Sequence, residues 1–130
     1  MSQENVEVVK EIFRFAQSDW ERVMASLDPN VRLDQSRFPD GGIYHGRDAW
    51  RDFYRSWFGT WDQLQVTPER FLEKGDQVVA LFTLEGRGKA SGTPVVLRAA
   101  NVWTFRDARV VALVGYPDRA EALEAVGLSE

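Results

Sequence analysis

Apolar residues change their spacing twice along this chain, and the changes mark out its elements. Val6, Val9, Ile12, Phe13 and Ala16 recur every three or four residues, which predicts an amphipathic helix over residues 5–17 with Ser2 or Asn5 to cap it. Asp19 is a good cap for a short second helix over 20–27. Asp28-Pro29-Asn30 ends that helix and turns the chain, and residues 31–35 read as a short strand. A loop over 36–46 contains Pro39 and the Gly41-Gly42 pair. Helical spacing returns over 47–61, where Trp50, Phe53, Tyr54, Trp57 and Trp61 form one unusually aromatic stripe.

From residue 63 the period falls to two. Strands are predicted over 64–66 and 69–73, flanking Pro68, which favours a bulge or an edge. Two long strands follow over 77–87 and 94–105, separated by the Gly/Ser turn at 88–92, and 110–116 forms a last strand after a turn at 106–109. Asp118 can cap a final helix over 119–126, with Gly127 just beyond its end. Helices first and strands afterwards indicate an α+β fold with helices packed on one face of a curved antiparallel sheet. No internal repeat, linker or low-complexity segment interrupts the chain, so residues 1–130 read as a single domain.

Composition narrows the chemistry. At 130 residues a chain buries roughly two-thirds of its unfolded surface and needs no metal or disulfide staple. There is no Cys, which removes disulfides, thiolate chemistry and Cys-based metal sites. A net charge of −4 with scattered Arg and Lys gives no footprint for nucleic acid. The polar start has no apolar signal-peptide core, and no apolar run approaches a membrane span; a cytoplasmic protein with no nucleic-acid or membrane partner is the expectation. No GxGxxG, P-loop, GxSxG or HxxxH spacing occurs. With a single His, neither metal catalysis nor a Ser-His-Asp triad is expected, and no cofactor is implied. Five Trp, eight Phe and three Tyr in so small a chain are enough to line a pocket as well as fill a core.

Alternation then selects candidate residues. Along 94–105 one face carries Val95, Leu97, Ala99, Asn101, Trp103 and Phe105, and the other Val96, Arg98, Ala100, Val102 and Thr104. Asn101 sits on the more apolar face, where an amide without partners costs a few kcal/mol. It is either a satisfied core amide or a donor aimed at a ligand, and its small neighbour Ala99 favours open space. Asp34, ending the first strand, is either a turn former or a carboxylate at a pocket mouth whose pKa surrounding rings would raise, making it a usable base. His45 is either solvent-facing or a ligand contact at the entrance to the aromatic helix. The stripe of Trp50, Tyr54 and Trp57, with Trp20, Phe71 and Trp103, is either core or the wall of an apolar pocket. Both faces of 77–85 are apolar, with Val79 and Leu81 on one and Val78, Ala80, Phe82 and Leu84 on the other. If helices cover one face only, the convex face calls for a partner, most cheaply a second copy of the chain.

Several pieces in order resemble one family: Phe13 with Asp19-Trp20, Leu27-Asp28-Pro29-Asn30-Val31, Tyr44-His45-Gly46-Arg47-Asp48-Ala49, Asn101-Val102-Trp103-Thr104-Phe105 and Tyr116-Pro117-Asp118-Arg119. Together they are similar to the SnoaL-like branch of the nuclear transport factor 2 superfamily along nearly the whole chain. The resemblance implies a cone-shaped curved antiparallel sheet packed against three N-terminal helices. The superfamily hosts isomerases, cyclases, dehydratases, epoxide hydrolases and proteins without catalysis. Asp34 is similar in position to the ketosteroid isomerase base, and Asn101 to the protonated Asp of its oxyanion hole; the Tyr of that hole has no counterpart among Glu11, Ile12 and Phe15. Asp118 resembles the acidic residue of SnoaL-type polyketide cyclases and is equally a helix cap. Scytalone dehydratase-like chemistry needs more than one His. Limonene-epoxide-hydrolase-like chemistry needs charges where Ala99 and Asn101 stand.

Three functions fit. The chain would be a cofactor-free isomerase or cyclase, with Asp34 or Asp118 moving a proton of a hydrophobic carbonyl compound and Asn101 and His45 holding the oxyanion. It would equally be a non-catalytic binder of a hydrophobic molecule, or a dimeric interaction module whose cavity is filled by its own Trp and Phe rings.

Overall fold

The computed structural model describes residues 2–129. Its elements run α1 (Ser2–Phe15), α2 (Trp20–Ala25), β1 (Leu27–Asp34), β2 (Ile43–His45), α3 (Arg47–Phe58), β3 (Trp61–Lys74), β4 (Gln77–Gly88), β5 (Pro94–Arg106), β6 (Arg109–Tyr116) and α4 (Arg119–Ala125). The strands form one curved, unclosed sheet in the order β2-β1-β6-β5-β4-β3. Neighbours are antiparallel except β1 and β6, which run parallel, as the long helical connections between first and last strand permit.

Five expectations change at the element level. Asp28-Pro29-Asn30 lies inside β1, where the pairing with β6 shifts register between Leu27 and Arg32. The turn chemistry is present, since Asn30 N–H donates to Asp28 Oδ1 at 2.8 Å, but it is absorbed as an irregularity in a strand. Residues within the expected 36–46 loop form the edge strand β2, which the chain reaches after Gln35 N–H donates to Gly42 O at 2.8 Å; three residues are too few to show alternation. Helix α3 stops at Gly59, so Trp61 belongs to β3 although its ring still meets Trp57 at 5.8 Å. The two strands flanking Pro68 are one long edge strand whose register shifts between Pro68 and Arg70, consistent with the confinement of Pro to edges and bulges. At the N-terminus α1 opens at Ser2, so the expected cap Asn5 falls within it.

One core lies on the concave side. Val9 and Ile12 of α1, Val23 of α2 and Trp50 of α3 pack on Val31 and Leu33 of β1, Val78 and Ala80 of β4, Trp103 and Phe105 of β5 and Leu113 of β6. The convex side has a second core. Ala122, Leu123 and Val126, from α4 and its end, cover Val79, Leu81, Ala100, Val102 and Tyr116. The chain thus supplies its own cover to much of the face for which the sequence suggested a partner. The capping residue of that cover is Asp118, whose carboxylate accepts from Ala120 N–H at 2.9 Å, and Gly127 follows with a φ of 77°, as a helix end of this kind favours.

Candidate functional site

Asn101 lies in the middle of β5, hydrogen-bonded strands on either side, with its side chain on the concave face beside Trp103. Trp103 Nε1 donates to Asn101 Oδ1 at 2.6 Å. An indole N–H can only donate, so the atom facing it must be the amide oxygen. The amide nitrogen is thereby turned away from Trp103. No protein acceptor for it is found among the described residues, and it is not among the side-chain atoms sealed from solvent without a partner. Asn101 keeps 8% exposure, and its position between two strands assigns that exposure to the side chain. Its cross-strand neighbours are Ala80 and Gly115 and its neighbour along the face is Ala99, so the amide stands in a dish of small residues.

A second polar pair borders the dish. Gln35, one residue beyond Asp34, shares the face of Leu33 and donates through Nε2 to Tyr54 Oη of α3 at 2.9 Å. Gly115 makes room for it: a Cβ added there would overlap Gln35 Oε1 and come within 2.9 Å of Phe38. Burial holds the Tyr54 phenol well above its usual ionisation range, against the weaker opposing effect of the Gln35 hydrogen bond. Because Tyr54 Oη accepts from Gln35, its own proton is free for another acceptor. Sequence reading placed Tyr54 among the pocket rings and overlooked Gln35; the available signal was parity, since Val31, Leu33 and Gln35 alternate onto one face.

The same parity removes Asp34 and His45, and helix capping removes Asp118. Asp34 pairs in register with Val114 of β6 and Ile43 of β2, and Val114 packs into the convex core. Ser36 donates its hydroxyl and its N–H to Asp34 Oδ1 at 2.6 and 2.9 Å, and Arg32 and Arg37 approach Oδ2 at 3.5 and 3.6 Å. Burial alone would raise this pKa. The Ser36 hydrogen bonds and the two guanidinium groups outweigh it and hold the carboxyl below its usual range. The expected raised base at a pocket mouth is therefore a locked carboxylate on the opposite face. His45 is exposed and pairs with Arg32 on that same side of β2, away from Asn101. Asp118 is exposed and occupied as the α4 cap. Among the described residues no group of three or more His, Asp or Glu converges as metal ligands would.

The rings mostly meet one another. Trp50 contacts Tyr54 and Trp103 at centroid distances of 5.6 and 6.0 Å, and Phe13 of α1 contacts Phe71, Phe82 and Trp103 at 6.2, 5.7 and 6.2 Å. Trp20 lies at the far rim against Phe58 at 6.2 Å. Trp57 packs on Tyr54 and Trp61 and lines a solvent-open recess of about 540 Å³ on the outer side of α3, together with Tyr44 and Phe53. Asn101, Trp50 and Trp103 do not border that recess. Where the sequence suggested one cavity under Trp50, Tyr54, Trp57 and Trp103, the structure packs Trp50 and Trp103 in the core around a slightly exposed Asn101 and places Trp57 in a separate open recess.

The family model for the SnoaL-like domain matches residues 9–113, most of the chain. The chain belongs to the SnoaL-like family. Solved structures agree in fold. A nuclear transport factor 2-like protein of unknown function from Burkholderia pseudomallei is 28% identical, with a TM-score of 0.78 over 95% of this chain and 98% of that one. A protein from Jannaschia assigned as a SnoaL-like polyketide cyclase is 23% identical, with a TM-score of 0.80 over 99% and 95%. TerC, crystallised with polyporic acid, is 23% identical, with a TM-score of 0.77 over 95% and 97%. No protein of curated function matches the chain.

This SnoaL-like chain keeps the cone of its family and departs from the ketosteroid isomerase arrangement that the resemblance implied. Asn101 occupies the concave floor, but the base position at the end of β1 is turned outward, and the polar residue turned inward is the neutral Gln35. The phenol next to it comes from α3 and not from the first helix.

Proposed function

We propose that this SnoaL-like protein binds a small apolar carbonyl compound on the concave face of its sheet. The supporting observation is the Asn101 amide: its oxygen is held by Trp103, while its nitrogen is not sealed from solvent and has no protein acceptor among the described residues. A buried donor left in that state costs free energy unless something accepts from it. The Tyr54 hydroxyl, kept neutral by burial and supported by Gln35, supplies a second donor on the same side. Two neutral donors among apolar rings suit a carbonyl oxygen and disfavour a cation. Binding is favoured over proton transfer, because the Asp34 carboxylate is held ionised on the other face and Asp118 is engaged as a cap.

The test is a titration of the protein with acetophenone and, in parallel, with α-methylstyrene, in which a CH2 group stands in place of the carbonyl oxygen. The ketone is expected to bind roughly tenfold tighter, the worth of about one hydrogen bond to a buried donor, and Asn101→Ala should erase the difference. Equal binding of both compounds to the unaltered protein rejects the assignment.

We also retain self-association through the part of the convex face that α4 leaves bare. Val96 there is 68% exposed and faces the same side as Arg98 and Thr83.

A further inference from the structure

The recess on the outer side of α3 has a chemistry different from that of the concave floor. It is lined by three aromatic residues, Tyr44, Phe53 and Trp57, and by two acidic ones, Asp40 and Asp52. Ala49 and Ser56 also line it, and side chains this short, one or two turns apart on the helix, leave volume between the rings. No Lys, Arg or His borders it.

The rings are held in place from behind. Tyr44 and Phe53 pack against the concave core and meet each other at 5.0 Å, inclined at 40°. Trp57 is wedged between Tyr54 and Trp61 at 6.3 and 5.8 Å. The carboxylates are only weakly engaged. Asp52 has Arg51 at 3.4 Å on an exposed surface, where such pairs contribute little, and no ion pair of Asp40 is found among the described residues.

Ring faces are negative and so are both carboxylates, so an anion is repelled. A bare divalent ion would take oxygen ligands and gain nothing from three rings. A neutral apolar molecule would leave the carboxylates unused. Aromatic faces with acidic neighbours suit a cation whose charge is spread over methyl groups. We propose that this recess is a binding site for a compact organic cation of the quaternary-ammonium class. It does not depend on the carbonyl-binding reading of the concave face.

The experiment is a titration of the isotope-labelled protein with choline chloride, followed by amide and indole NMR shifts. A parallel titration uses 3,3-dimethylbutan-1-ol, the uncharged carbon analogue, and both are run at matched ionic strength. Choline is expected to shift resonances of Tyr44, Phe53 and the Trp57 indole, with the analogue at least about fivefold weaker. Asp52→Asn, an exposed change that should leave the fold intact, is expected to weaken choline by roughly threefold, and Trp57→Leu by roughly fivefold or more. Asp40→Asn repeats the charge test from the opposite rim. Equal affinity for choline and its analogue, shifts confined to the Trp103 indole, or no saturable shift would each overturn the proposal. If Trp57→Leu unfolds the protein, the two Asp→Asn variants decide alone: choline binding unaffected by both is a negative result.

Discussion

Asn101 and Asp34 reached opposite ends from similar starting points. Each is a polar residue on an otherwise apolar strand, and alternation was sufficient to assign both. It assigned Asn101 correctly to the concave side, because Ala99, Trp103 and Phe105 share its parity. For Asp34 the same rule already pointed outward, since its in-phase partner is Arg32 while Leu33 is core; proximity to the strand end outweighed parity in the reading. Removing the indole donor tests the residue-scale account. Trp103→Phe leaves Asn101 Oδ1 buried without its partner and should lower unfolding free energy by about 1–3 kcal/mol beyond the loss of ring volume, read by urea denaturation against Trp50→Phe as a packing control. Asp34 predicts a pH effect. Its folded pKa is depressed below 3.8, so the unfolded state binds the proton more readily. The stability it contributes is present above that unfolded value and is lost as pH falls through the lower folded one. Asp34→Asn should therefore flatten the acid limb of the stability curve below about pH 4 while leaving ketone binding unchanged. A loss of binding at neutral pH with an intact acid limb would return Asp34 to the site.

At the scale of elements, one side chain, Arg119, joins α4 to β3, whose Glu69 Oε1 accepts from it at 2.8 Å, and to two further strands. Pro68 lies opposite Phe82 and has no N–H to offer. Phe82 O accepts instead from Arg119 Nη2 at 2.8 Å, and Arg119 Nε donates to Ala99 O at 3.2 Å. Ala99 lies on β5 beyond the last residue paired with β6, so its carbonyl has no strand partner on that side. Arg119 opens α4 and is largely covered, with 11% side-chain exposure, so it ties the convex helix to two strands through main-chain oxygens. Arg119→Met keeps the aliphatic stem and removes the donors; a loss of roughly 1–3 kcal/mol is expected, with faster amide exchange in β3 and β4 as the local signature. Leu123→Ala empties part of the convex core and should cost about 2–5 kcal/mol. A much smaller effect would mean that α4 lies loosely on the sheet. None of this was visible as a pattern, because Arg119, Phe82 and Ala99 are far apart in sequence and are brought together only by strand register and the packing of α4.

For the molecule as a whole, the sheet is covered by three helices on one side and by α4 on part of the other. The bare remainder, around the exposed Val96, is the surface on which the proposed self-association is tested. Sedimentation of the protein should show a dimer that Val96→Asp dissociates. A monomer at all accessible concentrations would leave α4 as the complete answer to the apolar convex strands. No helix among the described residues is long and apolar enough to cross a membrane.

Periodicity in the sequence by itself determined the fold class and most of the elements, because the 3.6 and 2.0 repeats are properties of local backbone geometry and survive any tertiary arrangement. It also determined which face of β5 carries Asn101. Only the tertiary structure decided that β1 lies parallel to β6, that α4 folds back over the convex face, that Gln35 meets Tyr54, and that the aromatic rings divide their surface between a packed core and an outer recess. Those contacts join residues far apart in the chain. Their distances follow from packing volumes and strand register, which a one-dimensional pattern does not encode.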